Sequence, residues 1–487
     1  MIDKPDRLSG RVREWRAVTR FAEDDEVGAH LGLVYGRRRQ GKTFLLELLA
    51  EATGGFMFTA LQQSGPQNLR LLGDAYAAFL GLRDPVRFTG WPAAMEALLL
   101  LGERRAEPTV VVLDEFPFLL DGDPSLPSLL QVGIGPTGAA FRRGRTRLIL
   151  CGSALTTMRR LLVGSAPLRG RAVLELMLPP FGFREAAAFW NLESDLDTAF
   201  RVDALIGGTP AYRAMSGGSP APGRFDEWIA DGLLDPASAI FREGNVLLYE
   251  QPEVNDPALY FSVLGAIAQG AAKRSEIAAL LERADSSLSH PLAVLEELQL
   301  VGKIEDALRP RRPVYEIREP VIRFHQLVIR PREAALAAHG GSRVWRETTD
   351  TVSSKIYGPH LEHLAREWTL AYASQQTLGG AANQVRPATV ACREHRAGHE
   401  IDVVAQADLP HEPVRVLAIG EAKATERPVG HGELARLEHL RDLVAAAKPG
   451  TPKLLLFSRT GFTKELRAET GRADLELIDL ERLYHGD

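Results

Sequence analysis

The sequence predicts an α/β protein: a parallel sheet built around a glycine-rich loop, then a small helical unit with a β-ribbon, then a second α/β domain. Three observations carry this expectation. A strand, a glycine-rich loop and a leucine-rich helical run follow one another over Leu31–Thr53, short amphipathic helices begin at Asp256, and two hydrophobic runs further on carry Asp402 and Glu421. At 487 residues the chain is long for one core, and about 100–200 residues per domain suggests three or so.

Composition excludes several classes. A 45% hydrophobic and 25% charged chain is ordinary for a globular protein, and no apolar run approaches the roughly 18 residues of a membrane span. No signal-peptide pattern is present at the amino terminus, so a cytoplasmic location and no membrane partner are expected. The net charge of −5 gives no global attraction to nucleic acid, which leaves local basic patches. Nine of the 58 basic residues are lysine, so Lys42 and Lys423, both inside motifs, stand where this chain ordinarily places arginine. The two cysteines, Cys151 and Cys392, lie far apart without a CxxC spacing. Neither a disulfide framework nor a zinc site is expected, and both are read as buried apolar residues without a histidine partner.

The first element is "LGLVYGRRRQGKTFLLELLAEAT". Its strand, Leu31–Tyr35, leads into Gly36-Arg37-Arg38-Arg39-Gln40-Gly41-Lys42-Thr43 and then a helix, the GxxxxGKT pattern in its required context. Glycines let backbone N–H groups wrap phosphates, Lys42 reaches the β- and γ-phosphates, and the Thr43 hydroxyl can bind Mg2+. The next strand, "TVVVLDEF", ends in Asp114, expected to hold Mg2+, and Glu115, expected to polarise an attacking water. A third strand, "RLILCGSA", ends in Gly152-Ser153, where Ser153 is either a γ-phosphate sensor or part of an ordinary turn. Arg169 and Arg171 in "APLRGRAVLELM" are candidates for sensing γ-phosphate charge, with a surface role as the rival. "GGTPAY", Gly207–Tyr212, is a helix-breaking turn that could touch adenine.

The ordered motifs "SGRVREW", "YGRRRQGKTFLL", "VVLDEFPFLL", "LILCGS", "LRGR", "LPPFGFREA" and "GGTPAY" resemble the archaeal-type ATPases, a branch of the AAA+/STAND P-loop group, over about the first half of the chain. The resemblance implies a P-loop NTPase sheet with a helical lid over residues 1–250. It implies Mg2+ and ATP as cofactors, with Gly36, Gly41, Lys42, Thr43, Asp114 and Glu115 at the nucleotide and Ser153, Arg171 and Pro210 held more loosely.

From Asp256, "ALYFSVLGAIAQG", "KRSEIAALL" and "SSLSHPLAVLEELQLVGKIE" give three short helices, and "ALRPRRPVYEI" a basic ribbon. This order, within 251–330, resembles a winged helix-turn-helix. Arg309, Arg311 and Arg312 on the wing would contact DNA phosphates. Glu296 and Glu297 on the presumed recognition helix favour the alternative, a packing lid. The Ala/Gly-rich stretch 331–352 is expected to be a linker.

Over 353–487, "YGPHLEHLAREWTLAYA" is a helix presenting Glu362, "EIDVVAQA" a strand with Asp402, and "VRVLAIGEAKA" a strand ending in Glu421-x-Lys423. Residues two apart share a strand face, so Glu421 and Lys423 can point together toward Asp402. This order resembles the PD-(D/E)XK, restriction-endonuclease-like fold. The resemblance implies Asp402 and Glu421 as ligands of Mg2+ (or Mn2+), Glu362 as an outer ligand, and Lys423 as the group orienting water. A fold without activity, or a charged surface hairpin, remains open. The expected protein is therefore an ATPase coupled to a metal-dependent nuclease-like domain acting on DNA, with a homo-oligomer allowed; the rival is a nucleotide-gated signalling switch with an inactive platform.

Overall fold

The computed structural model describes residues 2–103, 105–251, 254–310, 313–392, 394–447 and 450–487. The chain divides into two compact units, one running to Pro180 and including Thr209–Ala211, the other comprising Phe181–Gly208 and Tyr212–Asp487.

In the first unit, β1 (His30–Tyr35), β2 (Phe56–Thr59), β3 (Thr109–Asp114), β4 (Thr146–Gly152) and β5 (Ala172–Met177) form one sheet in the order β2-β3-β4-β1-β5. Every pairing is parallel. Both faces must then be covered by crossover helices, which is why β3 and β4 read as unbroken apolar runs and not as alternation. Leu31 and Leu33 join Val111, Leu113, Leu148 and Leu150 on one face. Val34, Val110, Val112, Ile149 and Cys151 join Leu45, Leu46 and Leu49 of helix Lys42–Thr53 on the other.

The second unit opens with helices from Phe183 onward. Helices Pro257–Gln269, Arg274–Leu280 and Ser289–Glu297 precede an antiparallel ribbon of β6 (Val301–Ile304) and β7 (Val314–Ile317), the expected order of elements. A mixed sheet follows: β8 (Gln384–Cys392), β9 (Ala397–Ala407), β10 (Arg415–Lys423), β11 (Lys453–Ser458) and β12 (Leu475–Ile478), in the order β12-β11-β10-β9-β8. β8, β9 and β10 pair antiparallel, while β10, β11 and β12 pair parallel. Helix Gly358–Ala371 covers one face with Leu361, Leu364 and Trp368, the last edge-on to Phe457. Helix His431–Ala447 covers the other with Leu437, Leu440 and Val444.

Two domain expectations are corrected. The stretch 331–352 is not a linker: it forms helices Glu333–His339 and Gly341–Val352, the second burying Val344, Trp345, Thr348 and Val352 at helical spacing. Its Ala/Gly-rich, polar composition masked that stripe. Nor does position 250 or 330 separate domains, because Phe183, Leu248, Tyr260, Leu295, Trp345, Trp368 and Phe457 belong to one continuous core.

Candidate functional site

The loop after β1 requires glycine twice. Gly36 has φ 158°, and a Cβ there would stand 2.5 Å from the Leu178 carbonyl oxygen; Gly41 caps the following helix at φ 85°. Lys42 is buried and its Nζ donates to the Arg37 carbonyl at 2.8 Å, curling the side chain over the loop. Burial lowers the Lys42 pKa, opposed by Cys151, Glu115 and Asp114. Gln40 is buried, and its backbone carbonyl accepts from Arg11 Nη2 at 3.2 Å.

β4 lies between β1 and β3, so its end emerges between the glycine loop and the acidic pair. Thr43 Oγ1 donates to Asp114 Oδ2 at 2.8 Å, and Asp114 Oδ1 is buried with no hydrogen-bond partner among the described residues. A hydroxyl and a carboxylate in contact, with one carboxylate oxygen unused, fit a Mg2+ ion. Ser153 Oγ donates to both oxygens of Glu115, at 3.2 and 3.1 Å. Glu115 itself has φ 49°, a left-handed backbone that sets it apart from β3. Pro210 lies in the segment returning to this unit, and Ala211 N donates to the Arg39 carbonyl at 3.4 Å, so "GGTPAY" touches the loop.

Arg171 is not at this edge. β5 runs parallel to β1 with Ala172 opposite Leu31 and Met177 opposite Tyr35, which puts Arg171 at the strand-start edge, roughly 16 Å of strand away from the loop at about 3.3 Å per residue. It cannot sense a γ-phosphate bound by its own chain. Arg169 is exposed and donates to the Gly164 carbonyl at 2.9 Å. Arg159, on helix Leu155–Arg160 just after β4, does stand at the loop edge. Its Nη2 lies 3.3 Å from Met177 Sδ, and it interacts with the Tyr35 hydroxyl. Its position just beyond "LILCGS" was the available signal.

In the second unit, Gly420 pairs with Val403, so the next antiparallel step sets Glu421 opposite Asp402. Asp402 Oδ2 accepts from Ala422 N at 2.8 Å. Glu421 is buried; its Oε1 accepts from Lys423 Nζ at 2.6 Å and from Arg436, while Oε2 is buried without a hydrogen-bond partner among the described residues. Glu362 and Asp402 line a cleft of about 350 Å³ together with Glu316, Arg323 and Arg366. Burial, then the charges of Glu362 and Glu421, push Asp402 up to about 8. Burial also raises Glu362, with Arg366 opposing. Lys423 is raised: burial alone would lower it, but the Glu421 contact outweighs that. Carboxylates that disfavour one another's charge, with an unused buried oxygen, are a donor set suited to a divalent cation.

The ribbon borders this cleft. Glu316 on β7 pairs with Arg366 at 2.7 Å, which with His363 and Arg323 overcomes burial and holds Glu316 at about 2. The turn after β6 docks on β8: Asp306 Oδ2 accepts from Thr389 N at 2.8 Å and Ala307 N donates to the Pro387 carbonyl at 2.9 Å. Arg309 is exposed; Arg311 and Arg312 lie outside the described residues.

Cys392 corrects a further expectation. It is buried, as is Cys151, yet it has three histidine neighbours, His395, His399 and His439. Two of them sit in the same short segment, "CREHRAGH", a signal that a search for CxxC passes over.

A five-stranded parallel sheet with a GxxxxGKT loop after β1 and an acidic pair at the end of β3 defines a P-loop nucleotide-binding fold. No protein-family model matches the chain. Among solved structures, it is similar to the Walker-type ATPase PABY2304 of Pyrococcus abyssi (18% identity, 66% of this chain and 97% of that one, TM-score 0.51). It also matches the ORC2 protein of Aeropyrum pernix (18%, 69% and 97%, TM-score 0.45). Among curated proteins it is similar to an uncharacterized protein of Methanocaldococcus jannaschii, 24% identical over 313 residues; the match spans 62% of this chain and 65% of that relative. Among the described residues no helix is long and apolar enough to cross a membrane.

Proposed function

We propose that the first unit binds and hydrolyses ATP. The observation carrying this reading is the Thr43–Asp114 contact at 2.8 Å beside the Ser153–Glu115 pair. Mg2+, when bound, would supply positive charge that offsets the phosphate charge. Loop N–H groups and Lys42 would bind the β- and γ-phosphates, and Thr43 and Asp114 would hold the ion. Glu115 would orient a water and take its proton, while Ser153 keeps the carboxylate aimed. Arg159 is the candidate for reading the γ-phosphate.

For the second unit the favoured reading is a divalent-metal phosphodiesterase acting on DNA, coupled to the nucleotide state. It rests on the convergence of Glu362, Asp402, Glu421 and Lys423. A divalent ion would polarise the scissile phosphate. Asp402 and the unused Oε2 of Glu421 would hold that ion, and Lys423, released from Glu421, would orient the water and offset phosphate charge. Exposed Arg309, with Arg311 and Arg312, would supply phosphate contacts. The test is a cleavage time course on plasmid and linear DNA, with and without ATP and with Mg2+ or Mn2+.

One observation favours a second reading, a nucleotide-gated switch with an inactive platform. Lys423 and Arg436 both engage Oε1 of Glu421, so the two cations already neutralise a carboxylate that cleavage would need for metal. ATP turnover with no cleavage under any of these conditions selects it.

A further inference from the structure

β8 ends at Cys392 and pairs back onto the start of β9, with Cys392 opposite Ala397. His395 therefore lies in the turn, His399 follows on β9, and helix His431–Ala447 brings His439 against the same hairpin end. The Sγ of Cys392 and one nitrogen from each histidine all lie within 4.8 Å of one another. Sγ is 3.2 Å from His395 Nδ1 and 3.5 Å from His439 Nε2, and His399 Nε2 is 3.3 Å from His395 Nδ1. A tetrahedral zinc with Zn–S about 2.3 Å and Zn–N about 2.0–2.1 Å has S–N edges of about 3.6 Å and N–N edges of about 3.3 Å. The observed separations fall close to those edges.

The three rings also pack against one another. The three imidazoles stand nearly perpendicular in every pair, at 90°, 87° and 89°, with centroids 5.1–6.0 Å apart. Packed this way, each ring presents one nitrogen to the same small space beside the Cys392 Sγ.

We propose that Cys392, His395, His399 and His439 form a zinc site. A thiolate with three imidazoles is a borderline-soft set suited to Zn2+ and unlike the hard oxygen donors of the carboxylate cleft. Four protein ligands close the tetrahedron, so the site is structural and leaves no position for substrate. Binding releases the Cys392 thiol proton to solvent. The ion ties the β8–β9 turn to helix His431–Ala447. One turn before His439 that helix carries Arg436, which pairs with Glu421, so the zinc also steadies the helix that presents Arg436 to Glu421.

Metal analysis of the full chain, purified without chelator, tests this. Wild type and the exposed-surface variant His290→Ala are expected to hold about one zinc per chain, as is Asp402→Ala, whose lost carboxylate belongs to the other site. Cys392→Ser and His439→Ala should lose the zinc. Should those variants fail to fold, Co2+ added to metal-stripped wild type decides: tetrahedral d–d bands with a thiolate charge-transfer band support the site. Wild type without zinc that also gives no thiolate–Co2+ spectrum overturns it, as does zinc retained by folded Cys392→Ser or lost from Asp402→Ala.

Discussion

Thr43 Oγ1 hydrogen-bonds Asp114 Oδ2 across a gap of 71 residues in sequence. The contact exists because a parallel sheet brings the ends of β1 and β3 to one edge. Lys42→Ala should lower ATP turnover by about 10²–10³ through loss of its charge on the phosphates. Glu115→Gln should keep nucleotide binding and slow hydrolysis by about 10²–10⁴. Nucleotide titration with a phosphate-release assay separates the two; unchanged turnover in both would exclude the catalytic assignment.

At the carboxylate cleft, Asp402→Ala should abolish Mn2+ binding and any DNA cleavage. Lys423→Ala should keep the ion and lose cleavage, because the missing charge acts on the nucleophile and the phosphate. Calorimetry with Mn2+ beside a cleavage assay reads both, and ATP turnover should persist in each variant.

DNA affinity carried by the ribbon should depend on salt. Replacing Arg309, Arg311 and Arg312 together with alanine should flatten the slope of log affinity against log salt by up to about three counterions, at roughly 0.9 per phosphate contact. Identical slopes in a mobility-shift titration would leave the ribbon as packing.

Trp345 is buried in the helix that replaces the expected linker, and its Nε1 donates to Asp226 at 2.8 Å. Trp345→Ala should cost about 3–5 kcal/mol, read as a lower melting temperature. A flexible linker would give no change.

Burial, with Arg330 nearby, lowers His325 from its ordinary 6.5 to about 4. Between those values the unfolded chain binds the proton and the folded one does not, so stability is full above about 6.5 and is lost as pH falls toward 4. Melting curves over that range should fall more steeply for wild type than for His325→Gln.

Much of the first unit was legible because its signals are local: strand, loop and helix succeed one another from Leu31 to Thr53, and Asp114 and Glu115 close an apolar run. Arg171 was misplaced because a sequence motif does not say which edge of a parallel strand its flank occupies; the register of β5 on β1 decides that. The order Glu362, Asp402, Glu421-x-Lys423 was legible, but the double engagement of Glu421 Oε1 was not, since Arg436 arrives from a helix 15 residues further on. The Cys392 cluster eluded a search by spacing because His439 lies 47 residues from the cysteine. The helix Gly341–Val352 was hidden by composition, its stripe resting on four residues among many small and polar ones.

The chain leaves the first unit after Pro180 and returns for Thr209–Ala211, where Ala211 meets the glycine loop at Arg39. Three residues embedded in the second unit's sequence therefore complete the first. A gene fusion or exchange with its seam at Pro180 would strip the nucleotide loop of that strap, while a seam after Ala211 would remove helix Leu196–Ile206 from the interior it shares with Trp368 and Phe457. The two units are thus interleaved along the chain, and no single cut point in the sequence divides one from the other.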